Sequence, residues 1–181
     1  AGKFKDQTLL DQAKSLNYQI VQDLNGLNAV QEANQNKPVL GLFADGNLPV
    51  SWVGPNAELN GNLRAAEKCK INAERSASTP SLKVMTAKAI ELLQQNEKGF
   101  FLQVESGSID KANHVADACG QIGETVALDD AVQVALEFAK NNPDTLIIVT
   151  GDHAHTSQII PNESKSPGKT VKLLTNDNAP M

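Results

Sequence analysis

No run of apolar residues approaches the ~20 that cross a bilayer as a helix, so the sequence offers no membrane-spanning helix. Positive charge is also scarce: 16 Lys and Arg stand against 21 Asp and Glu, a net charge of −5. Nucleic acid and anionic membrane surfaces both select basic patches, so neither is expected as the main partner. The opening residues, Ala1-Gly-Lys-Phe-Lys-Asp6, lack the apolar stretch of a secretory leader, as do mature secreted chains and internal pieces. No internal repeat or low-complexity tract is present. Cysteine is nearly missing, with Cys69 and Cys119 the only two. That count fits one disulfide and fits two buried free thiols equally well. Joined, they would close a loop worth roughly 4 kcal/mol in the chain-entropy account.

What is present suits a packed fold. With 40% apolar and 20% charged residues, the 181-residue chain can bury one sizeable core, so a single region over 1–181 is expected. Thr8-Leu-Leu-Asp11 has the spacing of a helix cap, followed by Leu9, Ala13 and Leu16 on one face. Tyr18 to Val21 predicts a short strand and residues 25–32 a short helix. Residues 38–45 (PVLGLFAD) are nearly all apolar, the pattern of a strand buried on both faces in a parallel sheet. Residues 46–80 are rich in Asn, Gly, Pro and Ser without a sustained period, which predicts mostly loop.

Thr79-Pro80 then signals a helix start. Leu82, Met85, Ala89, Leu92 and Leu93 mark its buried face, and Gly99 ends it. Residues 99–105 (GFFLQVE) and 145–151 (TLIIVTG) predict two further buried strands. Between them Leu128, Ala131, Val132, Ala135, Leu136 and Ala139 recur at helical spacing until Asn142-Pro143. Alternating helices and strands predict an α/β fold with a mixed, mostly parallel central sheet. Residues 156–181 are polar and aperiodic, as expected of an irregular surface segment.

In open α/β sheets, ligands bind beyond the carboxyl ends of the strands. GFFLQVE ends in Glu105 and leads into Asp110, Lys111 and His114; TLIIVTG leads into Asp152, His153 and His155. Asp110 and His114 are four apart, which places both on one face of a helical turn. All three histidines of the chain lie in these two segments. Carboxylate oxygen and imidazole nitrogen are zinc donors, and carboxylate-rich oxygen sites suit magnesium. Neighbouring strand tips lie about 5 Å apart or a small multiple of it, so these donors can converge. Each residue alone has a plainer explanation. Asp-x-x-x-His arises by chance, a lone histidine is more often structural than a ligand, Glu105 is by default a solvated carboxylate, and Lys111 a surface charge. Only their joint occurrence points to a metal site.

Val104-Glu105-Ser-Gly-Ser-Ile-Asp110-Lys111-Ala-Asn-His114, followed by Cys119-Gly-Gln-Ile-Gly-Glu-Thr125, resembles a metal motif of bacterial periplasmic alkaline phosphatases. Val149-Thr-Gly-Asp152-His153-Ala-His155 is similar to that family's second metal motif, and residues 38–47 and 96–105 also match its pattern. The resemblance runs from about Thr8 to about Gly168. It implies part of an alkaline-phosphatase-like three-layer α/β core, and an enzyme that hydrolyses phosphate monoesters with two Zn2+ and one Mg2+. Asp110 and His114 would then ligate the first zinc, Asp152 and His153 the second, and Glu105 the magnesium. Lys111 would reach the substrate phosphate through water. His155 would hydrogen-bond to Asp110 and hold it in place. The resemblance further implies a Cys69–Cys119 disulfide, a periplasmic or secreted location, and a homodimer for the full-length protein. Two departures, Ser106-Gly107-Ser108 after Glu105 and Gly151 before Asp152, exchange small residues and leave every donor in place.

The family's reaction passes through a phosphoserine, with an arginine gripping the phosphate in a bidentate manner. Its serine stands in an Asp-Ser-Ala motif that these residues do not contain, and Arg64 and Arg75, the only arginines, lie outside the family motifs. The resemblance therefore implies an internal piece of a longer enzyme, inactive alone. Two alternatives remain open: a related metallohydrolase of phosphodiesterase or sulfatase type, and a non-catalytic metal-binding module that has shed the nucleophile half.

Overall fold

Thr8 opens the first helix, α1 (Leu9–Ser15), as its spacing predicts. Its hydroxyl accepts from the Asp11 backbone N–H at 3.1 Å and donates to Asp11 Oδ2 at 2.7 Å. The hydroxyl's donation holds the Asp11 carboxyl below its ordinary pKa. The computed structural model describes residues 5–161 and 164–181; residues 1–4, and 162–163 of the C-terminal segment, lie outside the described residues. The chain divides into two compact units: 1–48 with 76–104, and 49–75 with 105–181.

In the first unit, β1 (Gln19–Val21) pairs in parallel with β2 (Val39–Gly41), Gln19 opposite Val39 and Val21 opposite Gly41. Helix α2 (Leu24–Ala29) lies between them in sequence, capped by Asp23, whose Oδ1 accepts from the Gly26 N–H at 2.7 Å. It stops short of the expected residue 32 because Val30 turns extended. A longer helix, α3 (Leu82–Leu93), completes the unit. Val21, Leu27, Val30 and Leu92 form the core, with Val39, Phe43, Val84 and Met85 packed against it. The α3 cap is Ser81 rather than Thr79: the helix starts at Leu82, and the Ser81 hydroxyl accepts from the Val84 N–H at 3.3 Å.

The second unit opens with strands too short to leave a periodic trace in the sequence. β3 (Trp52–Val53) and β5 (Lys70–Ile71) pair antiparallel, as do β4 (Glu58–Leu59) and β6 (Lys169–Thr170). The 46–80 segment is therefore not all loop. Nor is 156–181 merely an irregular surface segment: Thr170 and Leu173 are buried, and Leu173 bridges to Glu67. Helices α4 (Ser108–His114) and α5 (Ala118–Asn141) follow the loop strands. α5 begins well ahead of the apolar repeat that starts at Leu128, because Asp117 caps it through the Gly120 N–H at 2.9 Å.

Gly123 lets α5 approach β3 closely, for a Cβ there would fall 2.7 Å from Trp52 Cβ and Cγ. Cys69 and Cys119 are joined in a disulfide, with Cys119 fully buried at the start of α5. Gly123→Ala is expected to destabilise the chain by about 1–3 kcal/mol through this overpacking. Urea denaturation measures it, and an unmoved midpoint would mean that Trp52 gives way without strain.

Two expected strands do not form. Residues 99–105 and 145–151 enter no ladder among the described residues, and Phe101, Leu146 and Ile148 are 86%, 82% and 75% exposed. Their apolar sequence favours burial in a sheet, but a strand exists only with a hydrogen-bonding neighbour, and none of the described segments supplies one. The α/β class holds, yet among the strands of the described residues the parallel pairing is that of β1–β2, while β3–β5 and β4–β6 are antiparallel.

Candidate metal centre

Helix α4 presents Asp110 and His114 one turn apart, as their spacing requires, while Ala112 and Asn113 turn inward and are buried. Asn113 Nδ2 donates to the Ile109 carbonyl at 2.9 Å. At the end of α4 the chain reverses through Ala116 in the left-handed region (φ 58), and the Asp117 N–H returns to the Ala112 carbonyl at 2.9 Å. That reversal seats α4 on the disulfide-anchored start of α5.

Against this helix the 152–156 loop brings its two imidazoles. His114 Nε2 lies 3.4 Å from Asp110 Oδ1, and the Nε2 atoms of His153 and His155 each lie 3.7 Å from the same oxygen. The His114 and His155 rings meet edge to face with centroids 4.8 Å apart, and His153 is tilted against His155 at 6.2 Å. Asp110 Oδ1 is shielded from solvent yet has no hydrogen-bond partner among the described residues.

These distances are long for hydrogen bonds but suit donors that share an ion. Tetrahedral zinc with bonds of ~2.0–2.1 Å separates its ligand atoms by about 3.3 Å, close to the 3.4 Å between Asp110 and His114. A carboxylate oxygen of Asp110 and a ring nitrogen each of His114 and His155 all lie within 4.8 Å of one another. An orphaned carboxylate oxygen facing imidazole nitrogens is a donor set that zinc takes, so the residues fit the ion.

The remaining candidates stand further out. Asp152 is exposed, its Oδ2 3.7 Å from His153 Nε2. Glu105 is exposed just before α4, its Oε1 close above Gly107, where a Cβ would sit 3.1 Å away. Lys111 is exposed on α4. The His153 ring is held above the ordinary histidine pKa, first by its Nδ1 contact with the Ala154 carbonyl at 2.9 Å and then by the charges of Asp152 and Asp110. Because the ring's pKa is raised, protons compete with a cation for His153 Nε2 up to a higher pH than at an ordinary histidine. Two residues not singled out from the sequence support the site. Asp117 caps α5, a role for which aspartate is a preferred residue, and the Thr156 N–H meets His155 Nδ1 at 2.8 Å, which no spacing encodes.

Residues 1–179 match the family model described as alkaline phosphatase. The chain is 58% identical to the alkaline phosphatase of Escherichia coli strain K12, an alignment over 182 residues that takes in 100% of this chain and 39% of that protein. It is 56% identical to alkaline phosphatase H of Pseudomonas aeruginosa, covering 100% of this chain and 38% of the relative. Streptomycin-6-phosphate phosphatase of Streptomyces griseus shares 43% identity over 99% of this chain and 41% of its own length. Among solved structures, the cold-active alkaline phosphatase of a psychrophilic Shewanella aligns with a TM-score of 0.57 at 28% identity, over 78% of this chain and 29% of that one. Thermus thermophilus alkaline phosphatase aligns with a TM-score of 0.57 at 30% identity, over 77% and 25%. The chain thus spans about two-fifths of the length of the curated relatives it matches. Matched along nearly its whole length by the family model, the chain belongs to the alkaline phosphatase family.

Proposed function

We propose that the chain is the metal-ligating part of a zinc- and magnesium-dependent phosphomonoesterase acting through a phosphoserine. The observation that carries this is the convergence of three imidazole nitrogens on one orphaned carboxylate oxygen, Asp110 Oδ1. Asp110 and His114 would hold the first zinc, Asp152 and His153 the second, and Glu105 the magnesium. When bound, these ions supply Lewis acidity and hold the attacking and leaving oxygens of an in-line displacement. The chain's own residues orient and neutralise. His155 steadies the Asp110 carboxylate, and Lys111, exposed on α4 beside Asp110, brings a positive charge to the substrate phosphate through water.

The serine nucleophile and the phosphate-gripping arginine would come from residues outside these 181, and the two units would be parts of one larger α/β domain. The Cys69–Cys119 disulfide supports a periplasmic or secreted setting, where such bonds persist. The full-length enzyme would be a homodimer acting on phosphate monoesters.

The 181-residue chain alone is therefore expected to show no zinc-dependent turnover of a chromogenic aryl phosphate, while the full-length enzyme turns it over. Turnover by the chain would overturn the assignment of the nucleophile. Preference of the full-length enzyme for a phosphate diester or a sulfate ester would move the function to the related metallohydrolases.

A further inference from the structure

The imidazoles around Asp110 do not present the same nitrogen chemistry. For His155, the Thr156 backbone N–H lies 2.8 Å from Nδ1, with Thr156 Oγ1 at 3.3 Å. A backbone N–H only donates, so Nδ1 is the accepting nitrogen and the neutral ring carries its proton on Nε2. That Nε2 is the atom 3.7 Å from Asp110 Oδ1. His153 is arranged the other way. Its Nδ1 lies 2.9 Å from the Ala154 carbonyl, which only accepts, so Nδ1 carries the proton and Nε2 is bare. His153 Nε2 faces the same Asp110 oxygen at 3.7 Å. Two histidines separated by one residue thus hold opposite tautomers before a common carboxylate. A bare nitrogen can take a cation; a protonated one can only donate.

We propose that Thr156 is a positioning residue of this centre, whose backbone N–H fixes His155 as the Nε2–H tautomer, so that the nitrogen facing Asp110 carries a proton and does not compete for the metal. The inference rests on the metallophosphatase reading above and adds to it the device that sorts ligand from support. Burial agrees with the sorting. The His155 side chain is only 19% exposed, against 56% for His153 and 67% for His114, as suits a ring that braces a carboxylate from behind.

The chain's three histidines make the test direct, because nitrogen NMR of histidine-labelled chain resolves few rings. At a pH about two units above the ordinary histidine value, the metal-free chain is expected to show His155 protonated on Nε2 and His153 on Nδ1. A proton on His155 Nδ1, or an even mixture, overturns the proposal whatever zinc does. Thr156→Pro deletes the backbone donor, whereas Thr156→Ala removes only the hydroxyl. The proline variant is expected to mix the His155 tautomers and weaken zinc binding by about 10–100-fold, the usual cost of losing a group that orients a ligand. The alanine variant, which keeps the backbone N–H and loses the Oγ1 contact at 3.3 Å, should change both far less than the proline variant, and equal effects in the two would overturn the role of the N–H.

His155→Gln separates donor from ligand, since it keeps a side-chain N–H near the Nε2 position. It should recover most of the zinc affinity that His155→Ala loses. Equal losses would make His155 a ligand and sink the proposal. Failure of the wild-type chain to bind zinc at all would instead count against the metallophosphatase reading, with the nitrogen spectrum still deciding the tautomers.

Discussion

Asp110→Ala is expected to weaken zinc binding by more than about 100-fold, because loss of a supporting group alone already costs about 10–100-fold. Every imidazole of the chain approaches this one carboxylate, at 3.4, 3.7 and 3.7 Å, so its removal dissolves the focus that the three histidines share. The apo fold should barely notice. Asp110 is half-exposed and its Oδ1 accepts no hydrogen bond among the described residues, so truncation breaks none at that oxygen and the change in stability should stay within about 0.5 kcal/mol. Lys111→Ala, one residue further along α4, serves as control and should bind zinc as the wild type does. Calorimetric titration of the three chains measures the contrast. Wild-type affinity in Asp110→Ala would mean that the histidines hold the ion without the carboxylate, and the centre as described would be wrong.

Opening the disulfide should cost the fold about 4 kcal/mol, the chain-entropy value for a loop of this size, since Cys69 and Cys119 are separated by 50 residues in sequence. Against the roughly 5–15 kcal/mol that holds an ordinary domain together, such a loss is a large share. The effect should reach the metal centre as well. Cys119 sits in the first turn of α5, beside the Asp117 cap whose N–H folds back onto Ala112 of α4. Freeing that turn loosens the helix that carries Asp110 and His114. Urea unfolding of the Cys69→Ser, Cys119→Ser double variant should show a markedly lower midpoint, with zinc affinity reduced in parallel. Because Cys119 is fully buried, a thiol reductant should reduce the native wild type slowly and the urea-unfolded chain quickly. Coincident unfolding curves for the variant and the wild type would remove the bridge from any account of stability.

Local chemistry was legible in the sequence, and partnership was not. The Thr8–Asp11 cap and the Asp110–His114 turn depend on residues three or four apart, and both stand as their spacing predicts. The start of α5 escaped because Gly120 and Gly123 occupy positions where an apolar repeat would otherwise show. Gly123 is there to admit Trp52, a contact made across 71 residues of sequence that no window can see. The paired strands at 52–53, 58–59, 70–71 and 169–170 are each two residues long and carry no period at all. The runs 99–105 and 145–151 show the opposite failure. Their composition reports the capacity to be buried in a sheet, and capacity is not burial without neighbours to pair with. At the candidate site, the donor types and their order could be read directly. The tautomers could not, since they are set by a carbonyl at Ala154 and an amide at Thr156 whose directions exist only in the folded loop.

The packing of Trp52 on Gly123 has a practical consequence. Trp52 is the chain's only tryptophan and belongs to the second unit, while Tyr18, the only tyrosine, belongs to the first. Apart from the weakly emitting phenylalanines, each unit therefore carries one intrinsic fluorophore of its own. Emission excited selectively at the indole follows the unit that holds all the histidines and the disulfide, and tyrosine emission follows the other. Whether the two halves of this polypeptide come apart together or in sequence can be watched by light alone, without attaching a dye.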